Sequence, residues 1–332
     1  MSWKVLVTVS AFETVGLHAA GLLRDAGCEI VSTENAGFVS GPDLAHSLAG
    51  IDAVIAGTEP YPATLLASPA ATHLKIISRW GVGYDSIDVA AATATGIVIA
   101  YTPGLLDESV ADYTFALLLA LTRRVADGHL SMRGGGWSPQ WGNDLAGKTL
   151  GIVGYGRIGR AVARRAAAFN LSVIAHDHNP CADAAVSFVP LDELLEQSDF
   201  VSLHVSLTPA TRKLIGEAQF RRMKPTARLI NTARGQLLDE TALLRALTLG
   251  WIAGTALDVY ADEPLPSRHP LRSAPNILLS PHQASSSVET GQAISESTAR
   301  AVIDLMQGRR PRLVLNPEVL AAANLRARLR EH

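Results

Sequence analysis

The sequence has little cysteine and no long apolar run. Two cysteines, Cys28 and Cys181, occur in 332 residues, which excludes a disulfide-stabilised scaffold, and we expect both thiols to be buried or incidental in a reducing compartment. The most apolar run, residues 115–121, is far too short to span a membrane. Residues 1–7 are too short and too soon interrupted to be a signal peptide. These features predict a soluble, cytoplasmic protein.

Charge is also sparse, and neither sign dominates. The chain has 29 basic and 31 acidic residues, a net charge of −2, with 18% charged and 48% hydrophobic residues. No basic face is implied, so we expect neither a nucleic acid nor a membrane as a partner. The composition is typical of a globular protein and excludes a disordered or fibrous chain. A length of 332 residues predicts two domains.

Short apolar runs alternate with helical patterns from the first residues onward. In the first series, predicted strands at 4–9, 28–32, 53–56, 75–78 and 97–100 alternate with predicted helices at 13–26, 43–48 and 63–71. In the second series, predicted strands lie at 150–153, 172–175, 200–204, 228–231, 254–257 and 277–279, with predicted helices at 157–169, 191–196 and 239–249. This alternation predicts an α/β fold with two doubly wound parallel-sheet domains.

Two longer helical patterns connect the two series. Residues 108–124 carry apolar side chains at helical spacing and predict a helix that bridges the halves. Residues 286–307 predict a helix that returns the chain to the first unit, which makes that domain discontinuous. We also expect residues 316–332, rich in alanine and arginine, to form a helix that serves as a packing or oligomer arm.

A glycine-rich motif directly follows the first strand of the second series. Its six residues fit G-x-G-x-x-G and open the predicted helix 157–169: Gly154, Tyr155, Gly156, Arg157, Ile158 and Gly159. Gly154 permits a tight turn, Gly156 lets backbone amides approach a pyrophosphate, and Gly159 lets the helix pack closely on the strand. The positive end of the helix then stabilises the anion. The motif in this position predicts a dinucleotide site.

Asp177 stands at the end of the next predicted strand, 18 residues after Gly159. A carboxylate there can accept hydrogen bonds from both ribose hydroxyls and would repel a 2′-phosphate, which favours NAD over NADP. His178 beside it leaves room for dual cofactor use. The triplet 176–178 could also suggest a metal, but no third ligand is nearby in sequence, and we expect no metal.

Three polar segments each follow a predicted strand of the second series. They are residues 229–235 with Arg234, 256–264 with Glu263, and 279–285 with His282. Ligands bind at the carboxyl ends of strands in open α/β sheets, and a guanidinium can bind a carboxylate bidentately. Each residue alone is more often an ordinary surface residue, but the three together behind a dinucleotide motif indicate a catalytic site.

With these motifs the chain resembles the D-isomer-specific 2-hydroxyacid dehydrogenases, and among them the short phosphoglycerate-dehydrogenase-like branch. The resemblance covers nearly the whole chain, with motifs at residues 77–88, 108–112 and 145–153, in the glycine-rich motif, and in the three polar segments. It implies a flavodoxin-like substrate domain, residues 1–102 with 288–332, a Rossmann NAD domain, residues 103–287, and a cleft between them. The cofactor that it implies is NAD.

The same resemblance assigns roles to single residues. Arg234, Glu263 and His282 match the catalytic arginine, glutamate and histidine of the family. The implied cofactor-binding residues are Gly154, Tyr155, Gly156, Arg157, Ile158, Gly159, Asp177, His204, Val205, Thr211, Thr232, Ala233, Asp258 and Ser285. The implied substrate-binding residues are Arg79, Trp80, Gly81, Val82 and Gly83, together with Arg234 and His282.

A homodimer is a further implication of the resemblance. It would pair through the nucleotide domain, using the bridging helix and the loop around Trp137. Trp137 and Trp141 are apolar for a loop and would anchor such an interface. The alternative is that the two side chains cover the bridging helix within one chain.

The expected function is NAD-dependent hydride transfer between a 2-hydroxy acid and a 2-oxo acid, most simply reduction of hydroxypyruvate or glyoxylate. Alternative substrates are 3-phosphoglycerate, a phosphonate such as phosphonopyruvate, or phosphite. The loop at 138–141 adds no cation, and Glu59 would repel a second anion if it faced the substrate. Arg79 favours a phosphorylated substrate unless it pairs with Asp85 or Asp88. A corepressor-like protein that senses NAD is the alternative from another class.

Overall fold

The computed structural model describes residues 2–33, 41–181, 183 and 186–330. Its strands are β1 (Lys4–Val7), β2 (Glu29–Ser32), β3 (Ala53–Ala56), β4 (Ile76–Arg79), β5 (Val98–Ala100), β6 (Thr149–Val153), β7 (Ser172–His176), β8 (Ser187–Phe188), β9 (Phe200–Leu203), β10 (Arg228–Asn231), β11 (Gly254–Leu257) and β12 (Ile277–Leu279). Its α-helices are α1 (Leu17–Asp25), α2 (Gly41–Ser47), α3 (Ala63–Leu66), α4 (Val89–Ala94), α5 (Asp107–Thr122), α6 (Val125–Arg133), α7 (Arg157–Ala168), α8 (Leu191–Gln197), α9 (Glu217–Arg222), α10 (Glu240–Thr248) and α11 (Val288–Met306). The α/β class with two parallel sheets is confirmed.

The chain divides into two compact units, Met1–Leu106 with Ser286–His332, and Asp107–Ser285. In the first unit, the described strands pair in the order β2-β1-β3-β4-β5, all parallel. Side chains alternate between the faces of the sheet, so Val5 and Ile55 pack toward α1 and α11, while Leu6 and Val54 pack toward the helices of the other face. Both faces are buried, which explains why strands β3 and β5 are apolar throughout.

The second unit holds a larger parallel sheet. Within the described residues its strand order is β12-β11-β10-β9-β6-β7-β8. The strand order reverses direction beside β6, and the carboxyl ends of the strands at such a switch point form the ligand-binding crevice of open α/β sheets. Helices α5 and α7 cover one face and α8 to α10 the other. The dinucleotide motif and the three polar segments therefore lie on one sheet.

Helix α11 packs within the first unit. Ser78 Oγ donates to the carbonyl of Thr298 at 3.0 Å, and Trp80 Nε1 donates to Ser295 Oγ at 3.0 Å. Gly291 allows close approach, since a Cβ there would lie 2.6 Å from Cγ2 of Val15. The residues just before α11 thus end one unit, and the helix itself completes the sheet packing of the other.

The predicted helix at 316–332 is wrong. The structure has a short 3-10 helix, Pro317–Ala321, and no α-helix in the described residues after it; residues 331–332 lie outside the described part. The segment instead bonds to other parts of the first unit, where Arg326 N donates to the carbonyl of Gly96 at 3.1 Å. Asn324 Nδ2 likewise donates to the carbonyl of Ala94 at 2.7 Å. Composition favoured a helix, but tertiary hydrogen bonds to the end of α4 decided the conformation.

Three further observations concern the described residues. None of their helices is long and apolar enough to cross a membrane. No group of three or more His, Cys, Asp and Glu side chains among them could hold a metal ion. Cys28 is buried, Cys181 is partly buried, and both are free thiols.

Candidate active site

The glycine-rich motif forms a tight turn between β6 and α7. Gly154 has φ +96°, and a Cβ there would lie 2.6 Å from the backbone of His204. A Cβ on Gly159 would lie 2.2 Å from the carbonyl oxygen of Gly154, so the helix could not pack with a larger residue. Gly156 precedes α7, is exposed, and a Cβ on it would meet nothing within 4 Å. The turn therefore leaves open space at the helix N-terminus, which fits a pyrophosphate.

Asp177 follows β7 and is fixed by two backbone amides. Its Oδ2 accepts from Tyr155 N at 2.6 Å and its Oδ1 from Asn179 N at 2.8 Å. The first bond ties the carboxylate directly to the glycine-rich turn. Tyr155 is itself held at its other end, where its hydroxyl donates to Asp183 at 2.7 Å. The negative charge predicted to select the cofactor therefore stands beside the phosphate turn.

His204 directly follows β9 and lies against the same turn. Its amide donates to the carbonyl of Val153 at 2.7 Å, and its Nε2 shares a hydrogen bond of 2.8 Å with Ser202 Oγ. Burial lowers the pKa of His204 to about 3, because an apolar environment disfavours the charged imidazolium. At neutral pH the side chain is therefore uncharged.

His282 and Glu263 form a hydrogen-bonded pair at the carboxyl end of the sheet. His282 Nδ1 lies 2.6 Å from Glu263 Oε2, and the two side chains are 34% and 23% exposed. Burial raises the pKa of Glu263, but the hydrogen bond and charge of His282, the Tyr260 amide and Arg234 outweigh it and hold the pKa below its usual value. The carboxylate is thus ionised at neutral pH, so Nδ1 is the donor. Nε2 is the ring nitrogen that remains for a proton transfer.

Asp258 fixes the loop that carries His282. It is fully buried, and it accepts from Ser280 Oγ at 2.6 Å, Gln283 N at 2.9 Å and Ala284 N at 2.8 Å. Burial raises its pKa, although these donors and the charge of His282 oppose the shift. The carbonyl of Asp258 also accepts from His282 N at 2.8 Å. These bonds hold His282 at φ +50°, a left-handed conformation that non-glycine residues seldom adopt.

Arg234 follows β10 and is positioned by Asn231. Asn231 is fully buried, its Nδ2 donates to the carbonyl of Arg234 at 2.8 Å, and its Oδ1 accepts from Ala233 N at 3.0 Å. Gly235 must be a glycine, because a Cβ there would lie 1.9 Å from the carbonyl carbon of Tyr260. The guanidinium is close enough to lower the pKa of Glu263. The structure thus brings Arg234, Glu263 and His282 to one edge of the second sheet.

The other residues assigned to the cofactor follow neighbouring strands of this sheet. Val205 and Thr211 follow β9, Thr232 and Ala233 follow β10, and Ser285 ends the segment after β12. The hydroxyl of Thr211 donates to the carbonyl of Ser206 at 2.8 Å and shapes its own turn. Thr232 shares a hydrogen bond of 3.2 Å with Thr114 on α5.

In the first unit, residues 79–83 form a loop at the end of β4. Arg79 is 6% exposed, and its side chain donates to the backbone carbonyls of Gly83 at 2.8 Å, of Ala56 at 3.3 Å and of Trp80. Val82 and Gly83 are partly exposed. Among the described residues, the amides of Val82 and Gly83 donate to no acceptor, so two N–H groups are available to an anion.

Glu59 would repel a second anion only if it faced the substrate, and its carboxylate is directed into the first unit instead. Glu59 is 6% exposed, and its Oε1 accepts from Gly57 N at 3.1 Å, from the Tyr61 hydroxyl at 2.9 Å and from Thr8 Oγ1. The carboxylate points into the first unit because three donors, one just after β1 and two in the turn after β3, meet there.

Sequence reasoning missed the buried polar residues that orient the site, above all Asn231 and Ser280. Each stands at or just after the end of an apolar strand, in front of a predicted functional residue. That position was the available signal, since a buried polar side chain needs hydrogen-bond partners. The pattern does not reveal which backbone groups those partners are.

Sequence comparison finds relatives over most of the chain. The profile of a family described as "D-isomer specific 2-hydroxyacid dehydrogenase, NAD binding domain" matches residues 115–284. The glyoxylate reductase of Korarchaeum cryptofilum is 46% identical over 273 residues, which are 79% of this chain and 82% of that protein. The glyoxylate reductase of Pyrococcus furiosus is 43% identical over 263 residues, or 75% of this chain and 78% of the relative.

Solved structures also match nearly the whole chain. A protein from Thermus thermophilus superposes with a TM-score of 0.85 at 38% identity, covering 94% of this chain and 99% of that one. The NADPH-dependent glyoxylate/hydroxypyruvate reductase of Sinorhizobium meliloti, solved with NADP and malonate, has a TM-score of 0.82 at 30% identity and covers 100% of both chains.

Proposed function

The chain belongs to the D-isomer-specific 2-hydroxyacid dehydrogenase family and is an oxidoreductase with an NAD(P)-binding domain, and from this premise we propose that it reduces glyoxylate or hydroxypyruvate with NADH. The observation that carries the proposal is the hydrogen-bonded pair of His282 and Glu263 next to Arg234, on the sheet that bears the dinucleotide motif. The names of the relatives support the substrate class.

The second unit supplies the residues that would hold the cofactor. Its pyrophosphate would bind at Gly154–Gly159, its ribose at Asp177, and its nicotinamide beside Thr232, Ala233 and Asp258. The reduced nicotinamide, when bound, supplies the hydride. The neutral His204 and the fixed turn at Gly154 add no competing charge beside the pyrophosphate.

The remaining chemistry is a proton transfer and the binding of a carboxylate. Arg234 binds the substrate carboxylate through its guanidinium. His282 donates a proton from Nε2 to the carbonyl oxygen as that carbon is reduced, and takes it back in the reverse direction. Glu263 accepts from Nδ1, orients the ring and stabilises its positive charge. Asp258 holds the loop, through Ser280 and two backbone amides, so that the ring stays in place.

The loop at 79–83 supports an unphosphorylated substrate. The amides of Val82 and Gly83 bind the carboxylate of the substrate, with Trp80 and Gly81 as parts of the same loop. A phosphate needs several donors or a cationic pocket. Arg79 donates instead to three backbone carbonyls. We therefore favour glyoxylate or hydroxypyruvate over 3-phosphohydroxypyruvate and over phosphonates.

An NADH oxidation assay with a panel of acids tests this function. Glyoxylate and hydroxypyruvate should be reduced with the highest kcat/KM, ahead of pyruvate, 3-phosphohydroxypyruvate and phosphonopyruvate. A best substrate that carries a phosphate would refute the preference. NADH binding without turnover of any acid would favour the corepressor-like alternative.

Asp177→Ala is expected to erode the preference for NADH. The ribose hydroxyls lose a charged acceptor, which is worth about 1.5–3 kcal/mol, so KM for NADH should rise roughly 10–100-fold. KM for NADPH should fall, because a 2′-phosphate no longer meets a negative charge. Steady-state kinetics with both cofactors measures the ratio.

Asp177→Asn is the matched variant, since the amide keeps an acceptor for Tyr155 N but removes the charge. It should weaken discrimination against NADPH while the KM for NADH rises less than in Asp177→Ala. Equal kcat/KM for NADH and NADPH in the unmodified protein would contradict the assignment of NAD.

We also propose that the chain forms a homodimer through the second unit. Trp137 is 86% and Trp141 90% exposed, so the alternative that they cover the bridging helix within one chain is wrong. Exposed Leu130 and Val125 lie on the adjacent helix α6. Large exposed apolar side chains such as these are typical of an interface with aromatic anchors.

The unmodified chain should therefore sediment as a dimer, and the double variant Trp137→Lys/Trp141→Lys should sediment as a monomer at micromolar concentration. Leu249→Lys is the control, because Leu249 is another exposed apolar residue of the same unit, 60% exposed at the end of α10. It should leave the dimer intact. An unmodified chain that stays monomeric at every concentration would rule out this interface.

A further inference from the structure

The substrate loop of the first unit is built around a buried arginine. Arg79 is the last residue of β4, and its guanidinium turns back under the loop that follows. Nε donates to the carbonyl of Gly83 at 2.8 Å, and Nη1 to the carbonyls of Trp80 and of Ala56 at 3.3 Å. One side chain thus donates hydrogen bonds to carbonyl oxygens at both ends of the loop and in the neighbouring strand β3.

This arrangement constrains the backbone on both sides of the loop amides. C=O and N–H point in opposite directions across a trans peptide. The carbonyl of Gly81 accepts from Thr102 N at 3.1 Å, so the N–H of Val82 points away from Thr102. Gly81 has φ +139°, and a Cβ there would lie 3.2 Å from Nη1 of Arg79, so the guanidinium packs directly beneath the turn. Arg79 thus fixes the peptides on both sides of the Val82 and Gly83 amides through the carbonyls of Trp80 and Gly83, while the Gly81 carbonyl sets the direction of the Val82 N–H.

The charge of Arg79 has a nearby carboxylate. The peptide between Ala56 and Gly57 gives its carbonyl to Arg79 and its N–H to Glu59 Oε1 at 3.1 Å. Both charges act on the pKa of the buried Tyr61 hydroxyl. Burial and Glu59 raise this pKa, and Arg79 lowers it. Glu59 Oε2 is buried and has no hydrogen-bond partner among the described residues. A buried guanidinium is costly without such compensation.

We propose that Arg79 is a positioning residue that shapes the loop at 80–83 from beneath, so that the amides of Val82 and Gly83 converge on the substrate carboxylate, and that it does not itself bind substrate. This inference rests on the proposed function for the identity of the anion. Glu59 supports it by fixing the same β3 peptide and by balancing the charge. In the sequence, Arg79 favoured a phosphorylated substrate. In the structure it supports the binding of the carboxylate of an unphosphorylated substrate.

Arg79→Met and Arg79→Lys test the inference in the full-length protein. In Arg79→Met, KM for glyoxylate should rise roughly 10–100-fold while kcat changes less than about threefold, because interactions made equally in ground and transition states affect KM alone. Arg79→Lys should recover part of the loss, since lysine keeps the charge but not the planar fork. The Kd for NADH should not change.

The matched control is Arg326→Met. Arg326 also lies in the first unit, and its guanidinium donates to the backbone carbonyls of Ala71, of Thr72 at 3.3 Å and of Leu74 at 3.1 Å, away from the loop. Its loss should lower the melting temperature without raising KM. A similar rise of KM in both variants would mean a general loss of stability and would overturn the proposal.

A second measurement needs no activity. Amide hydrogen exchange of peptides that cover residues 79–84 should be faster in Arg79→Met than in the unmodified protein, with exchange in α7 unchanged. Unaltered loop exchange overturns the inference, and so does a KM increase confined to 3-phosphohydroxypyruvate, which would make Arg79 a phosphate ligand. If the unmodified protein reduces no 2-oxo acid, the proposed function fails, and loop exchange still decides whether Arg79 holds the loop.

Discussion

His282→Asn is expected to lower kcat for glyoxylate reduction by about 10²–10⁴-fold, the usual contribution of a general acid. Asparagine can still accept or donate a hydrogen bond but cannot release a proton at neutral pH. Glu263 would then lose its partner at 2.6 Å, while Asp258 would still hold the loop through Ser280. KM for glyoxylate and the Kd for NADH should change little. Stopped-flow or steady-state NADH oxidation measures kcat, and fluorescence titration measures Kd.

The second unit contains a matched control for this variant. His269 Nε2 lies 3.5 Å from Glu240 Oε2, so the two residues form another histidine–glutamate pair. His269 Nδ1 accepts from Leu271 N at the start of a 3-10 helix, which gives it a structural role. His269→Asn should keep kcat within about twofold. The assignment of His282 fails if His282→Asn retains more than a tenth of the unmodified kcat.

Arg234→Met should lower kcat/KM for glyoxylate by roughly 10²–10⁴-fold. Two charge-assisted hydrogen bonds to the substrate carboxylate are lost, and each is worth about 1.5–3 kcal/mol. Arg234→Lys should restore part of this loss, because an ammonium gives a point charge without the bidentate fork. The loss should appear with glyoxylate and hydroxypyruvate alike, since both carry the carboxylate.

Arg228→Met is the control on the same strand. Arg228 begins β10 at the amino end of the strand, and its guanidinium donates to Asn143 Oδ1 at 2.8 Å. Its replacement should leave kcat/KM unchanged within about threefold. An Arg234→Met variant that loses NADH affinity instead of substrate affinity would place the guanidinium at the cofactor and not at the carboxylate.

Local patterns in the sequence predicted most of the fold because both sheets are parallel and buried on both faces. Strands such as β3 and β5 are apolar throughout, and a short apolar run between helical patterns is enough to indicate a buried parallel strand. Of the elements that were missed, α6 has no buried residue and so no apolar face toward the core, and α4, α9 and β8 are short. Short elements carry too few residues to show a period. The tail after Asn316 was mispredicted because composition cannot foresee a backbone that bonds to Gly96.

The sequence by itself determined the chemistry that this protein can carry. The spacing of Gly154, Gly156 and Gly159 requires a tight turn before a helix, and the order of Arg234, Glu263 and His282 behind successive strands assigns them to one edge of a parallel sheet, because parallel strands all end at the same edge.

Only the tertiary structure decided how those groups are held. The fold directs Asp258 to the His282 loop and Asn231 to Arg234, and it turns Arg79 inward to the carbonyls of its own loop. Each of these hydrogen bonds has a backbone group as one partner, and every backbone carries the same donors and acceptors whatever its sequence. The choice among them is therefore made by packing, which a linear pattern does not contain.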